Sequence, residues 1–400
     1  LIFTQKYRIA YSELTKPKIC ISNASYICLM QRFRLPFLVL ALMTLISRAF
    51  AQDSLSSAFS CSAHLHYGFL IAHRPMIVPL QRNHMSGFEL NVAFPSNNKA
   101  PWRDHYDYPE TGLSFARWNT GNKEQLGAAW SLIPYVDFPL QRYRRSVFSL
   151  KFGWGIGYVE KIFDDETNYK NIAIGSHLNC ALQLQPHFTF KVANKITAGG
   201  GLNITHFSNG SVATPNLGIN LLGITLHAAY APGFIRSGSK RVRTKFTPLK
   251  RYTVFASASV KQTYPADGNY YSAFTLSGNR AKQISEKIAW GYGADVFYDD
   301  ATAKKVLEQD GEVLQHRYES IRAGLHGSCE LIVNRFTLSM SMGGYLYSKI
   351  KNDGMLYHRF GLRYQTRSNL FICMNLKSHW AKADFIEWGI GYRFNKKPKA

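Results

Sequence analysis

From His64 to the end of the chain, the sequence breaks into short segments that alternate apolar and polar residues, separated by turn-forming residues. A period of two marks a β-strand with one apolar face. Phe148, Leu150, Phe152, Trp154, Ile156 and Tyr158 make one such face, with small or polar residues between them. Trp290 with Tyr292 and Val296 with Tyr298 repeat the pattern. Candidate strands lie near 64–72, 86–95, 112–119, 126–136, 147–158, 172–184, 188–204 and 217–230. A second set lies near 251–262, 270–277, 287–298, 317–332, 335–347, 356–366, 369–379 and 384–394. Several are about ten residues long, the length of a tilted bilayer-crossing strand. No stretch after Ala51 reads as a transmembrane helix, so a chain of this kind in a membrane has to close its strands into a barrel. The expected fold is therefore all-β: an antiparallel transmembrane β-barrel of about 12–16 strands. A boundary near 235–250, after an eight-stranded unit ending at Tyr230, is the alternative. One larger barrel is favoured, because the strands after 250 keep the same character and the closing strand comes last.

That closing strand, Phe385 to Phe394, alternates to an aromatic near the terminus and resembles the C-terminal signal strand of outer-membrane proteins. The start of the chain fits export. Gln31-Arg32-Phe33-Arg34 is a short basic segment, Leu35 to Ile46 is apolar, and Ala49-Phe50-Ala51 obeys the small-x-small cleavage rule. The apolar run falls short of the roughly 20 residues that a membrane-spanning helix requires. Residues 30–51 thus read as a signal peptide, 1–29 as an upstream extension from a misplaced start, and 52–400 as the barrel. Ser96-Asn97-Asn98, Asp164-Asp165-Glu166, Tyr264 to Asn269 and Lys351 to Gly354 have turn composition. Residues 300–316 read as an exposed loop with a helical turn, and Arg236 to Arg251 as a basic loop.

Aromatic residues make up 14% of the chain, yet hydrophobic residues are only 46% and the mean hydropathy is −0.19. Half-apolar strands account for this combination better than a helical core. The formal net charge of +23 raises nucleic acid as a partner, but the basic residues form no single arm and no nucleic-acid-binding signature accompanies them. A membrane surface rich in anionic phosphate suits the charge better. Of six cysteines, Cys20 and Cys28 fall outside the expected mature chain. Cys61, Cys180, Cys329 and Cys373 show no Cys-x-x-Cys spacing, and no zinc site or other cofactor site is indicated. His64 and His66 share a strand face, with His73 and His84 further on, and read as barrel-lining or solvent-facing rather than metal-binding.

One stretch carries chemistry. Gly199-Gly200-Gly201-Leu202-Asn203-Ile204-Thr205-His206-Phe207-Ser208-Asn209-Gly210-Ser211 leads into Pro215-Asn216-Leu217-Gly218-Ile219-Asn220. His206 and Ser208, two apart, share one face of a strand, as a general base and a serine nucleophile require. Asn209, by its amide or the adjacent backbone N–H, could face a developing oxyanion. Asn209-Gly210 and Pro215-Asn216 are turn-forming, so the chain should reverse and set Asn220 beside His206. The glycines at 199–201 and 218 would relieve a groove for an acyl chain or mark a kink in a curved strand. Asn168, Lys170, Asn171, Ser176, His177 and Asn179 form a polar cluster that could support such a site from behind.

The order His-aromatic-Ser-Asn, then Pro-Asn-x-Gly-Ile and a polar residue fourteen after the His, resembles the lipid A 3-O-deacylase family (PagL-type acyloxyacyl hydrolases). The resemblance implies an outer-membrane β-barrel that hydrolyses a fatty-acyl ester of lipid A with a Ser-His-Glu triad. Ser208 matches the nucleophile, His206 the base and Asn209 the oxyanion-hole residue. Lipid A in the outer leaflet of a Gram-negative outer membrane would be the partner. One position departs: Asn220 stands where the family has Glu. From Thr167 through Ala266 there is no Asp or Glu, so a replacement carboxylate would have to come from a distant strand or loop, such as Glu89, Glu160 or Glu166. A working Ser-His-Asn triad, a carboxylate supplied from afar, and a weakened enzyme all stay open. A non-enzymatic barrel, acting as a pore or a lipid-binding structural protein, is the competing function. A secreted soluble esterase fits less well, for want of Gly-x-Ser-x-Gly and of α/β alternation.

Overall fold

The structure is a computed structural model, and it describes residues 59–94, 101–231, 246–263, 268–380 and 382–396. The expected upstream extension and signal peptide, the Ser96-Asn97-Asn98 turn and most of the Arg236–Arg251 loop lie outside these residues. Sixteen antiparallel strands form two closed barrels. The first comprises β1 (Ser60–Leu70), β2 (Met85–Phe94), β3 (Glu110–Asn119), β4 (Ala128–Arg142), β5 (Ser146–Val159), β6 (Leu178–Lys191), β7 (Ile196–Ser208) and β8 (Ile219–Tyr230). The second comprises β9 (Lys250–Lys261), β10 (Tyr271–Gln283), β11 (Ile288–Asp299), β12 (Ile321–Val333), β13 (Phe336–Tyr347), β14 (Leu356–Gln365), β15 (Leu370–His379) and β16 (Lys382–Lys396). A helix, α1 (Thr302–Asp310), lies between β11 and β12, in the segment expected to be a loop with a helical turn. Among the described residues no helix is long and apolar enough to cross a membrane.

All-β antiparallel barrel architecture follows the expectation, and the strand number sits at the top of its range. The single larger ring does not form. β8 pairs with β1, with His64 opposite His227, and β16 pairs with β9, with Gly389 opposite Ser257. The eight-stranded unit ending at Tyr230 is the arrangement adopted. The physical reason lies in the interiors. Eight strands enclose a space that side chains can fill, whereas sixteen leave an aqueous channel. In the first barrel Glu89 accepts hydrogen bonds from Lys151 Nζ and from Gln183 Nε2 (2.6 Å), and lies 3.2 Å from His66 Nε2. In the second, Arg359 bridges Asp295 (2.7 Å) and Glu387 (2.6 Å). These buried charges span each lumen from wall to wall and would lose their partners in a wider ring.

The exteriors are apolar. On β7 Asn203, Thr205 and Phe207 point inward and are buried, while Leu202 and Ile204 point out. On β8 Ile224 and Leu226 are 55% and 63% exposed on the outer face. A polar inside with an apolar outside is the pattern of a barrel in lipid. The strand expected at 172–184 runs instead over 178–191, and the next starts at Ile196. Pro186, which on sequence looks like a break, sits within β6 opposite Leu150, and the reversal falls at residues 192–195.

Where the first barrel's longer loops gather, a core closes its mouth. Phe207, Ile219 and Leu221 from β7 and β8 pack with Ile77, Leu80, Trp118, Leu126 and Ile174. Phe207 lies between His206 and Ser208 in sequence and points inward between them. The outward pair is therefore carried on a backbone anchored by a fully buried ring.

Candidate active site

His206 and Ser208 leave the same outer face of β7, each partly exposed at the loop end of the strand. His206 is paired with Asn220 across the β7–β8 ladder. The reversal expected from Asn209-Gly210 and Pro215-Asn216 is thus made, and Asn220 arrives beside the imidazole. Asn220 Oδ1 lies 2.6 Å from His206 Nδ1. On its other side, Asn220 Nδ2 lies 2.9 Å from His73 Nδ1. This chain of contacts sets the protons. Asn220 donates its amide N–H to His73, so its carbonyl oxygen accepts from His206 Nδ1–H, and His206 Nε2 keeps its lone pair. A neutral imidazole with Nε2 unprotonated is the form that can accept a serine proton.

Ser208 Oγ accepts hydrogen bonds from Asn216 Nδ2 (2.9 Å) and from the Gly210 backbone N–H (3.2 Å), and lies 3.3 Å from Asn216 Oδ1. Two donors aimed at Oγ favour negative charge there. Among the described residues no hydrogen bond joins Ser208 to His206; the hydroxyl is held by Asn216. Asn209 is buried. Its backbone N–H donates to Asn216 Oδ1 (3.1 Å) and its amide to Ser176 Oγ (2.8 Å). Ser176 in turn donates to the Leu178 carbonyl (3.0 Å). Of the polar cluster expected behind the site, Ser176 and Asn179 therefore connect to it.

None of the carboxylates considered as substitutes reaches His206. Glu89 is inside the lumen, on the opposite side of the barrel wall, held by Lys151. Glu160 accepts the Ala128 N–H at 2.7 Å, and Glu166 is exposed in the β5–β6 loop. Asn220 is the group on the imidazole. The glycines divide. Gly218, at φ +85°, lies against the ring: a Cβ there would stand 2.7 Å from His206 Cε1. Gly199 and Gly201 face the interior instead, where a Cβ would meet His227 and His187. They make room for lumenal rings rather than for an acyl groove outside.

Sequence reasoning missed two participants. Asn216 was read only as a turn residue, although an amide eight residues after the serine is placed to return to it. His73, beyond the strand of His64 and His66, reads on sequence as solvent-facing or barrel-lining; nothing local links a residue in the β1–β2 loop to β8. Two clusters bring His and carboxylate atoms within 4.8 Å of one another: His64, His66 and Glu89, and Asp353, His379 and Asp384. In each, lysine or arginine groups already pair with the carboxylates, Lys151 in the first and Lys261, Lys305, Lys377 and Arg322 in the second. Neither is arranged for a cation. Cys61, Cys180, Cys329 and Cys373 are free thiols.

Residues 86–229 match the family described as lipid A 3-O-deacylase (PagL), and residues 250–396 match that described as acyloxyacyl hydrolase, C-terminal domain. The gap between the matches falls between β8 and β9, where one ring ends and the next begins. A comparison with curated proteins finds no match. Among solved structures, a mutant of the Rhodopseudomonas blastica porin aligns at 9% identity over 84% of this chain and 99% of that chain, with a TM-score of 0.19. A second mutant of that porin aligns at 8% identity with the same coverage and TM-score. The two family matches follow the two barrels and together span most of the sequence: the chain belongs to the lipid A 3-O-deacylase (PagL) and acyloxyacyl hydrolase family.

Proposed function

We propose that this protein is an outer-membrane esterase that removes an ester-linked fatty-acyl chain from lipid A by a serine-histidine mechanism. The observation that carries the reading is the position of His206 and Ser208 on the apolar exterior, with Asn220 orienting the imidazole. A lipid in the surrounding leaflet would reach them without leaving the membrane. Ser208 turns from Asn216 toward His206, passes its proton to Nε2 and attacks the ester carbonyl carbon. The Gly210 N–H and the second N–H of the Asn209 amide stabilise the charge that develops on oxygen. His206 then returns the proton to the departing sugar oxygen, leaving an acyl-serine that water hydrolyses by the same base. Asn220 fixes the tautomer but brings no charge to support the imidazolium, so a slower enzyme than one with a carboxylate is expected.

The competing reading, a pore, finds little support in lumens crossed by buried ion pairs such as Lys151–Glu89 and Arg359–Asp295. Mass spectrometry of lipid A from cells with and without the protein tests the proposal. Loss of one 3-hydroxyacyl group is expected with the intact protein and not with Ser208→Ala or His206→Ala, both of which should still fold. Identical lipid A in all four samples would refute it.

A further inference from the structure

The second barrel grips the loop that carries the proposed oxyanion residue. The segment 209–214, between β7 and β8, meets the second barrel through the four hydrogen bonds that follow and one apolar contact. The Thr214 backbone N–H donates to Gln262 Oε1 (2.9 Å), and the Gln262 N–H donates back to the Ser211 carbonyl (2.8 Å). Thr214 Oγ1 donates to the Thr263 carbonyl (3.1 Å), and Ser211 Oγ to the Ala383 carbonyl (3.0 Å). Gly210 lies so close to the Ile386 side chain that a Cβ would overlap it. Ile386 points outward from β16 yet is only 8% exposed, because this loop covers it.

The same segment forms the site. Gly210 N–H donates to Ser208 Oγ, Asn209 N–H to Asn216 Oδ1, and the Val212 and Ala213 N–H groups return to Asn209 O and Oδ1 (3.3 and 3.4 Å). Gly210 and Ser211 both hold positive φ, 62° and 70°. Ser211 pays for that conformation in steric strain, which a loop keeps only when its surroundings enforce it. The second barrel supplies such constraints at Ser211 and Thr214.

We propose that Gln262 is a positioning residue for the reaction: from the second barrel, it fixes the Asn209–Thr214 segment so that the Gly210 N–H stays on Ser208 Oγ and the Asn209 N–H on the Asn216 amide that holds that hydroxyl. The second barrel then serves as a brace for the first barrel's site rather than as a second catalyst. This rests on the serine-esterase reading for its consequence in rate, but not for its structural content.

The test uses the full chain in detergent micelles or lipid bilayers, with the wild type, Gln262→Ala, Gln262→Glu, Ile386→Ala and Ser208→Ala. Gln262→Ala removes the acceptor of the Thr214 N–H; Gln262→Glu keeps one. Hydrogen exchange is measured over residues 209–216, with β2–β6 as a folding control. Exchange at 209–216 should rise roughly five- to tenfold in Gln262→Ala, the worth of one hydrogen bond, rise in Ile386→Ala, and stay near wild type in Gln262→Glu. Deacylation of lipid A should show kcat reduced about tenfold in Gln262→Ala with KM unchanged, and restored in Gln262→Glu. Unchanged exchange at 209–216 in both Gln262→Ala and Ile386→Ala overturns the proposal. So does faster exchange with an undiminished kcat, in a preparation where Ser208→Ala is inactive. If the wild type and Ser208→Ala are equally inactive, the esterase reading fails, and the exchange data alone decide whether the brace exists.

Discussion

Replacing Gly218 by alanine gives the sharpest test of whether the imidazole's place matters. Gly218 holds φ +85°, where a side chain costs about 1–2 kcal/mol. Its added Cβ would lie 2.7 Å from His206 Cε1, while carbon atoms settle at about 3.5–4.0 Å. The ring or the strand end must therefore give way by about 1 Å. The ring cannot retreat along the strand without stretching the 2.6 Å bond to Asn220, so the shift moves Nε2 relative to Ser208. A misplacement of about 1 Å costs on the order of 10²-fold in rate. Gly218→Ala should thus lose about two orders of magnitude in kcat while its unfolding free energy falls by only about 1–2 kcal/mol. The rate is read by mass spectrometry of lipid A in mixed micelles, and folding by urea denaturation of the reconstituted protein. A variant that folds and keeps the wild-type rate would show that an imidazole at this position takes no part in the reaction.

Asn220→Ala should lower kcat roughly tenfold or more by removing the hydrogen bond that fixes the His206 tautomer. Asn220→Asp or Asn220→Glu should retain or raise it; rates unchanged in all three variants would remove Asn220 from the mechanism. Lys151→Met leaves Glu89 buried without its ammonium partner, and should destabilise the first barrel by about 3–5 kcal/mol, seen as a lower urea midpoint. At the mouth of the second barrel, burial works to raise the Asp353 carboxyl, but Lys305 and Arg322 outweigh it and hold it below the usual carboxylate range. A carboxylate depressed in the folded state contributes its stability above the unfolded value of about 3.9 and loses it as pH falls toward the folded one. Protection factors for hydrogen exchange, taken relative to the intrinsic rate at each pH, should be steady in α1 and in residues 348–355 from pH 7 to about 4 and fall below about 4. A loop that opens already between pH 7 and 5 would contradict this assignment.

The alternating period of two was enough to give most of the strands and their two faces, and to bound their number at about 12–16. Phe148, Phe152 and Tyr158 could be placed on one surface before any coordinates, because side-chain direction in a strand depends only on parity. The same rule put His206 and Ser208 together, and the turn residues between them and Asn220 put the amide on the ring. These are local relations, fixed within fifteen residues of chain. What parity could not reveal was closure. Whether β8 returns to β1 or passes on to β9 is a pairing between residues as distant as His64 and His227, decided by which interior the charged side chains can fill. The same holds for His73 on Asn220, for Glu89 turning into the lumen away from His206, and for Gln262 reaching the Asn209–Thr214 loop from another ring. Each joins residues far apart in sequence through contacts that exist only once both barrels have closed. Tertiary structure alone decided those, because no local periodicity records which distant backbone will stand alongside.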